Sequence, residues 1–164
     1  MKNLLDLTGK KALVTGGSRG IGHRLAQALH DAGAEVVFFY NSTCPDGLAE
    51  QMQGNGPAVH AVRCNVADRK ALEHGVTAAA DLLGGRIDIL INAAGINRRY
   101  WLEDFPTEEW DAVINTNLNA AVYCTQLVGK YMLAQQYGKV INLASMNSFV
   151  SGKRVGAYVA SKGA

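Results

Sequence analysis

Cysteine and proline are both scarce in this chain of 164 residues, with three of each. Cys44, Cys64 and Cys124 are odd in number and far apart in sequence. They make neither a disulfide framework nor a metal-ligand spacing, which fits a reducing compartment. His23, His30, His60 and His74 do not cluster either, so no metal site is expected. Charged residues make up 18% and the net charge is only +2. That excludes the basic footprint of a nucleic-acid or anionic-membrane binder. No apolar run approaches the ~20 residues of a membrane helix. Asp6 interrupts Met1–Leu7 before a signal-peptide core can form. These absences together lead to the expectation of a soluble, cytoplasmic domain.

Glycine and apolar side chains are abundant, at 18 residues and 48% respectively. Lys11–Thr15 is an almost uninterrupted apolar run, as in a strand buried on both faces of a parallel sheet. A glycine turn follows, and then a helical pattern with Ile21, Leu25, Ala28, Leu29 and Ala32 on one face, ended by Gly33. Glu35–Tyr40 completes a β-α-β unit. Leu48–Gln53 reads as a short helix and Ala58–Arg63 as a third strand. Asp68 is a candidate N-cap for a helix carrying Leu72, Val76, Ala79 and Leu83. Ile87–Ile91 reads as a fourth strand closing on Asn92-Ala93-Ala94-Gly95. Pro106 and Thr107 open a long helix running through Asn117 to about Tyr137, with Glu108 and Glu109 in its first turn. Val140–Ala144 is the fifth strand. Strands alternating with helices predict one α/β domain, a doubly wound parallel sheet with helices on both faces. Cys124, Trp101 and Trp110 read as packing residues.

Two places carry chemistry. The turn Gly16-Gly17-Ser18-Arg19-Gly20-Ile21-Gly22 leaves a strand and enters a helix, which brings backbone N–H groups and a helix N-terminus together as an anion site. Its spacing, Gly16-x-x-x-Gly20-x-Gly22, differs from the commonest dinucleotide fingerprint. The second strand ends at Phe39-Tyr40-Asn41-Ser42, where an acid would favour NAD; none is present. Arg19 stands in the glycine turn within reach of a phosphate, or else is a solvated loop charge. Both positions point towards NADP, with NAD as the alternative. The other place is Ser145 to Lys162. Tyr158 and Lys162 are four apart, on one face of a helix, and Ser145 follows the fifth strand. A tyrosine titrates near pH ~10, and a fixed positive charge beside it favours the phenolate.

With Thr15-Gly16-x-x-x-Gly20-Ile21-Gly22, the Asn92–Gly95 strand end, Asn117, Ser145 and Tyr158-x-x-x-Lys162 in this order, the chain resembles the short-chain dehydrogenase/reductase family. The resemblance implies a Rossmann-like NAD(P)-binding domain over residues 1–164 and hydride transfer between a nicotinamide and a secondary alcohol or ketone. It implies that Tyr158 exchanges the proton with the substrate oxygen and that Ser145 holds that oxygen. Lys162 would act on Tyr158 and the nicotinamide ribose, and Asn117 would position a relaying water. Thr15, Gly16, Ser18, Arg19, Gly20, Ile21, Gly22 and Asn41 would belong to the cofactor site, as would Asn65-Val66 beside adenine and Asn92, Ala93, Ala94 and Gly95. Arg98, followed by Arg99, and Arg154 border the substrate side, where they would pair with a carboxylate or else remain solvated.

Gly95–Arg99 and Ile141–Phe149 look like the same segments of sugar-acid dehydrogenases of the gluconate 5-dehydrogenase and 2-dehydro-3-deoxy-D-gluconate 5-dehydrogenase type. A 3-oxoacyl-carrier-protein reductase is the alternative within the same chemistry. Family members continue beyond Lys162 with further strands, helices and a covering loop, and assemble as homo-oligomers, tetramers or dimers. Relative to that pattern this sequence stops early. The expectation is an exposed fifth strand, a frayed Tyr158 helix of barely one turn, and little activity in isolation. An inactive nucleotide-binding fragment is therefore the rival from another class.

Overall fold

The computed structural model describes residues 5–164, so the part of the N-terminal reading that falls on Met1–Leu4 lies outside the described residues. Five parallel strands form one sheet in the order β3-β2-β1-β4-β5. They are β1 (Lys11–Thr15), β2 (Glu35–Tyr40), β3 (Val59–Arg63), β4 (Ile89–Asn92) and β5 (Lys139–Asn142). The helices are α1 (Gly20–Asp31), α2 (Leu48–Gln53), α3 (Arg69–Leu82), α4 (Thr107–Ile114), α5 (Ala120–Ala134) and α6 (Gly156–Gly163).

The apolar runs are buried on both sides because alternate residues enter two different cores. Leu13, Val37, Phe39 and Leu90 join Leu72, Val76 and Ala79 of α3 and Cys124 and Val128 of α5. Ala12, Val14, Val36, Phe38, Ile89 and Ile91 join Ala26 of α1 and Met52 of α2. The register, Leu13 opposite both Val37 and Leu90, keeps each side chain on its own face. Asp68 caps α3 by accepting the N–H groups of Lys70 and Ala71 at 2.9 and 3.1 Å. Asp88, fully buried, takes Arg86 at 2.8 Å and the N–H of Lys11 at 3.0 Å, tying the starts of β1 and β4 together.

Four expectations change. The buried face of α1 is Gly22, Ala26 and His30, while Ile21 is 69% exposed and Ala28 is exposed. The helix is rotated because its first turn packs Gly22 directly on the Gly16 carbonyl. The long helix is broken: α4 and α5 are joined by a π-helical turn, Asn115–Asn119. One extra residue per turn is accommodated there, a feature that recurs at functional sites. The fifth strand stops at Asn142, and Ser145 instead caps a short 3₁₀ turn, Met146–Ser148, by accepting the N–H of Asn147 at 3.2 Å. The Tyr158 helix is eight residues long, more than the single turn expected. All four residues of β5 are exposed, with β4 the one strand paired to it among the described residues.

Candidate active site

In a doubly wound sheet the crevice opens at the carboxyl ends of the strands where the connection reverses direction, here between β1 and β4. A cleft of about 870 Å³ lies at that place. One end is built from the glycine turn and the end of β2, including Tyr40 and Asn41. The other end holds Ser145, Tyr158 and Lys162.

The glycine turn reaches the cleft because two of its residues have no room for a side chain. A Cβ on Gly22 would stand 2.3 Å from the Gly16 carbonyl oxygen, and one on Gly17 would stand 2.4 Å from Cβ of Phe38. Gly17, absent from the spacing read in the sequence, is therefore as tightly specified as Gly22. Arg19 sits at the N-cap position of α1 with no side-chain cap, and the first turn of α1 carries no acid. Backbone donors of that turn thus lack intrahelical acceptors and open on the cleft. The Ser18 hydroxyl donates to the Thr43 carbonyl at 3.0 Å, fastening the turn to the loop after β2. These features fit the pyrophosphate of a dinucleotide.

At the opposite end, Lys162 is half-buried and its Nζ donates to the Leu143 carbonyl at 2.5 Å. Nζ lies 6.0 Å from the ring centre of Tyr158. Burial pulls the Lys162 ammonium below its ordinary pKa. The Ser148 hydroxyl accepts the N–H of Ser145 at 3.2 Å and donates to the Lys162 carbonyl, so the Ser145 turn and α6 are fastened together. The sequence pattern gave Ser148 no such part.

The family model for short chain dehydrogenases matches residues 10–164. The chain belongs to this family. It is 39% identical over 163 residues to 2-dehydro-3-deoxy-D-gluconate 5-dehydrogenase of Bacillus subtilis (strain 168), and 40% identical over 163 residues to gluconate 5-dehydrogenase of Gluconobacter oxydans (strain 621H). Each alignment covers 99% of this chain and 63% of the relative, so the chain spans under two thirds of those proteins' length. It superposes with a TM-score of 0.89 and 33% identity on the crystal structure of a protein from Beutenbergia cavernae assigned as an NAD(P)-dependent gluconate 5-dehydrogenase, with NADP bound at low occupancy. That match covers 98% of this chain and 64% of the other.

Within the short-chain dehydrogenase pattern, most of the expected cofactor residues line the cleft: Gly16, Ser18, Arg19, Gly20, Ile21, Gly22, Asn41, Asn65, Val66, Ala93, Ala94 and Gly95. Thr15 and Asn92 are buried behind that lining, 3% and 6% exposed. The Thr15 hydroxyl accepts the N–H groups of Ala93 and Ala94 at 3.1 and 3.0 Å. The Asn92 amide donates to Asn142 Oδ1 at 2.8 Å and Thr125 Oγ1 at 3.1 Å, knitting β4, β5 and α5. Asn117 also lies behind the cleft wall, 6% exposed. Its Oδ1 accepts the N–H of Ile96 at 2.8 Å, and its Nδ2 donates to the Ile96 carbonyl and Ser161 Oγ at 2.9 and 3.0 Å. With both amide protons committed, its side chain is a tie between three segments.

The arginines divide. Arg98 lines the cleft, with Nε on Glu109 Oε2 at 2.6 Å. Arg154 is not among the residues lining it, and its backbone is left-handed (φ 64). Its guanidinium reaches the Arg99 carbonyl at 3.4 Å and lies 6.0 Å from the Trp101 ring. Trp101, 50% exposed, is accordingly not the packing residue expected of it, whereas Trp110 meets Phe105 edge-on at 5.7 Å. Among the described residues no group of three or more His, Cys, Asp or Glu is arranged to hold a metal. No helix among them is long and apolar enough to cross a membrane.

Proposed function

We propose that the protein to which this chain belongs is an NADP-dependent oxidoreductase acting on a secondary alcohol or ketone of a sugar acid, with Tyr158 as its acid and base. The observation that carries this reading is the single cleft holding the uncapped α1 turn at one end and Ser145, Tyr158 and Lys162 at the other. The names of the relatives support the substrate class, and the NADP in the Beutenbergia cavernae structure supports the cofactor.

A nicotinamide bound there would supply the hydride for reduction of the carbonyl carbon. Tyr158 gives its phenolic proton to the carbonyl oxygen, and Ser145 holds that oxygen by hydrogen bonding. Lys162, charged and partly desolvated, stabilises the phenolate left behind. In oxidation the same residues act in reverse. Gly20, Gly22 and the N–H groups opening α1 would hold the pyrophosphate, and Arg19, with no acid at the end of β2 to oppose it, would hold a 2′-phosphate. Arg98, oriented by Glu109, receives the substrate carboxylate. Homo-oligomerisation of the whole protein belongs to the same proposal.

The experiment is a spectrophotometric assay of NADPH consumption with a panel of keto sugar acids and a 3-oxoacyl thioester, on wild type and Tyr158→Phe. Turnover with a keto sugar acid, abolished in Tyr158→Phe while NADPH binding persists, is expected. A Tyr158→Phe protein as active as wild type would remove the assigned role, and preference for the thioester would reassign the substrate.

A further inference from the structure

We propose that Ser161 is a positioning residue that couples α6 to the π turn at Asn117 and thereby sets where the Tyr158 phenol stands in the cleft. The proposal rests on the acid–base reading of Tyr158.

Every proton in this link has only one place to go. The N–H of Ile96 donates to one side-chain atom of Asn117, which must therefore be the oxygen. That fixes the amide orientation and leaves Nδ2 facing the Ile96 carbonyl and Ser161 Oγ. The Ser161 hydroxyl, accepting from Nδ2, is free to donate, and it does so to the Tyr158 carbonyl at 2.8 Å. Asn117 is 6% and Ser161 5% exposed, so water does not substitute readily for either partner. The outcome is a rigid series from the loop after β4, through the π turn, to the backbone of the residue that carries the phenol.

Geometry explains why the link needs a π turn. A regular α-helix through residues 107–134 would carry Asn117 round by the angle of one inserted residue. Its amide would then not address the Ile96 backbone and Ser161 together. The π turn and Ser161 are thus two halves of one device. Ser161 precedes Lys162, but its side chain points to the buried side of α6, while Lys162 faces the cleft.

The test uses the whole protein that contains this chain, labelled with 13C at tyrosine Cζ, with the Tyr158 resonance assigned by its loss in Tyr158→Phe. In Ser161→Ala the Tyr158 resonance should shift or broaden, while the other five of the six tyrosines in this chain keep theirs. NADPH affinity should remain within about twofold, and kcat should fall on the order of tenfold to a hundredfold with little change in KM. Should the alanine variant not fold, Ser161→Cys, close in size with a weak sulfur acceptor, is expected to show the same shift in smaller measure. An unmoved Tyr158 resonance in a folded Ser161 variant overturns the proposal, as does a loss of activity that comes from NADPH affinity alone. If Tyr158→Phe is fully active but Ser161→Ala still moves the Tyr158 resonance, the acid–base reading fails and the coupling stands.

Discussion

The hydroxyl of Thr15, at the end of β1, accepts the N–H of Ala94, beyond the end of β4, at 3.0 Å, and that of Ala93 at 3.1 Å. Two strands that run side by side are thus held together just where their chains part to form the cleft. Thr15 is 3% exposed, so the bonds are shielded from water. A residue that touches nothing in the cleft decides the position of two that line it.

Thr15→Val keeps the shape and removes the acceptor, leaving two N–H groups unpaired. It should cost about 1–3 kcal/mol, read as a lowered urea midpoint, and should weaken NADPH binding. Thr15→Ser, which restores the hydroxyl, should recover most of both. Equal loss in the two variants would show that the methyl group, not the oxygen, is what matters.

Glycines in the same chain should respond in opposite directions to one added methyl group. A Cβ at Gly22 meets the Gly16 carbonyl at 2.3 Å, whereas one at Gly129, within α5, meets nothing within 4 Å. Gly22→Ala should therefore push α1 off the turn, destabilise the fold and abolish dinucleotide binding. Gly129→Ala should stabilise by roughly 0.5–1 kcal/mol, the ordinary helix gain of alanine over glycine. Thermal melts with and without NADPH distinguish the two.

The frame of this protein was legible where physical demands repeat along the chain. Ala12–Val14 and Val36–Phe39 are apolar throughout because both faces of a parallel strand are covered, and they lie in strands. Asp68 read as a cap, and it accepts two N–H groups. The π turn was not legible, because inserting one residue leaves Val113, Ala120, Cys124 and Val128 still spaced as a helix would space them. Its cause, the Asn117 bonds to Ile96 and Ser161, joins residues 21 and 44 positions apart. Ile21 was misplaced because periodicity counts it as apolar, whereas the helix is rotated by the closeness of Gly22 to Gly16. The left-handed backbone at Arg154 was not legible either, because nothing in its side chain announces it.

The cysteines should separate cleanly by reactivity. Burial pushes the Cys64 thiol up to about 11 and the Cys124 thiol up to about 12, while half-buried Cys44 is raised by burial and by Asp46 and Glu50. Only the thiolate alkylates. Native protein treated with iodoacetamide at mildly alkaline pH should gain one adduct, on Cys44, and unfolded protein three. Mass spectrometry reads both. Rapid native labelling of Cys64, which lines the cleft, would mean that the β3 end opens far more than the structure shows.

Lys162 gives stability a pH dependence whose sign follows from its burial. The ammonium is desolvated in the folded chain, so its pKa falls below the ordinary 10.5. Between the folded value and 10.5 the unfolded chain binds more protons than the native one, and stability therefore rises with pH across that window. Below it both states carry the charge and the penalty is fully felt. Lys162→Met removes the titration, so the wild-type stability should climb towards the variant's as pH rises from neutral to 10.5. Urea midpoints of the two proteins, taken as a difference at each pH, isolate this group from every other titration the two proteins share. Parallel curves for wild type and Lys162→Met would show that Lys162 is as well solvated in the folded chain as in the unfolded one, and would withdraw the desolvated charge on which its support of Tyr158 depends.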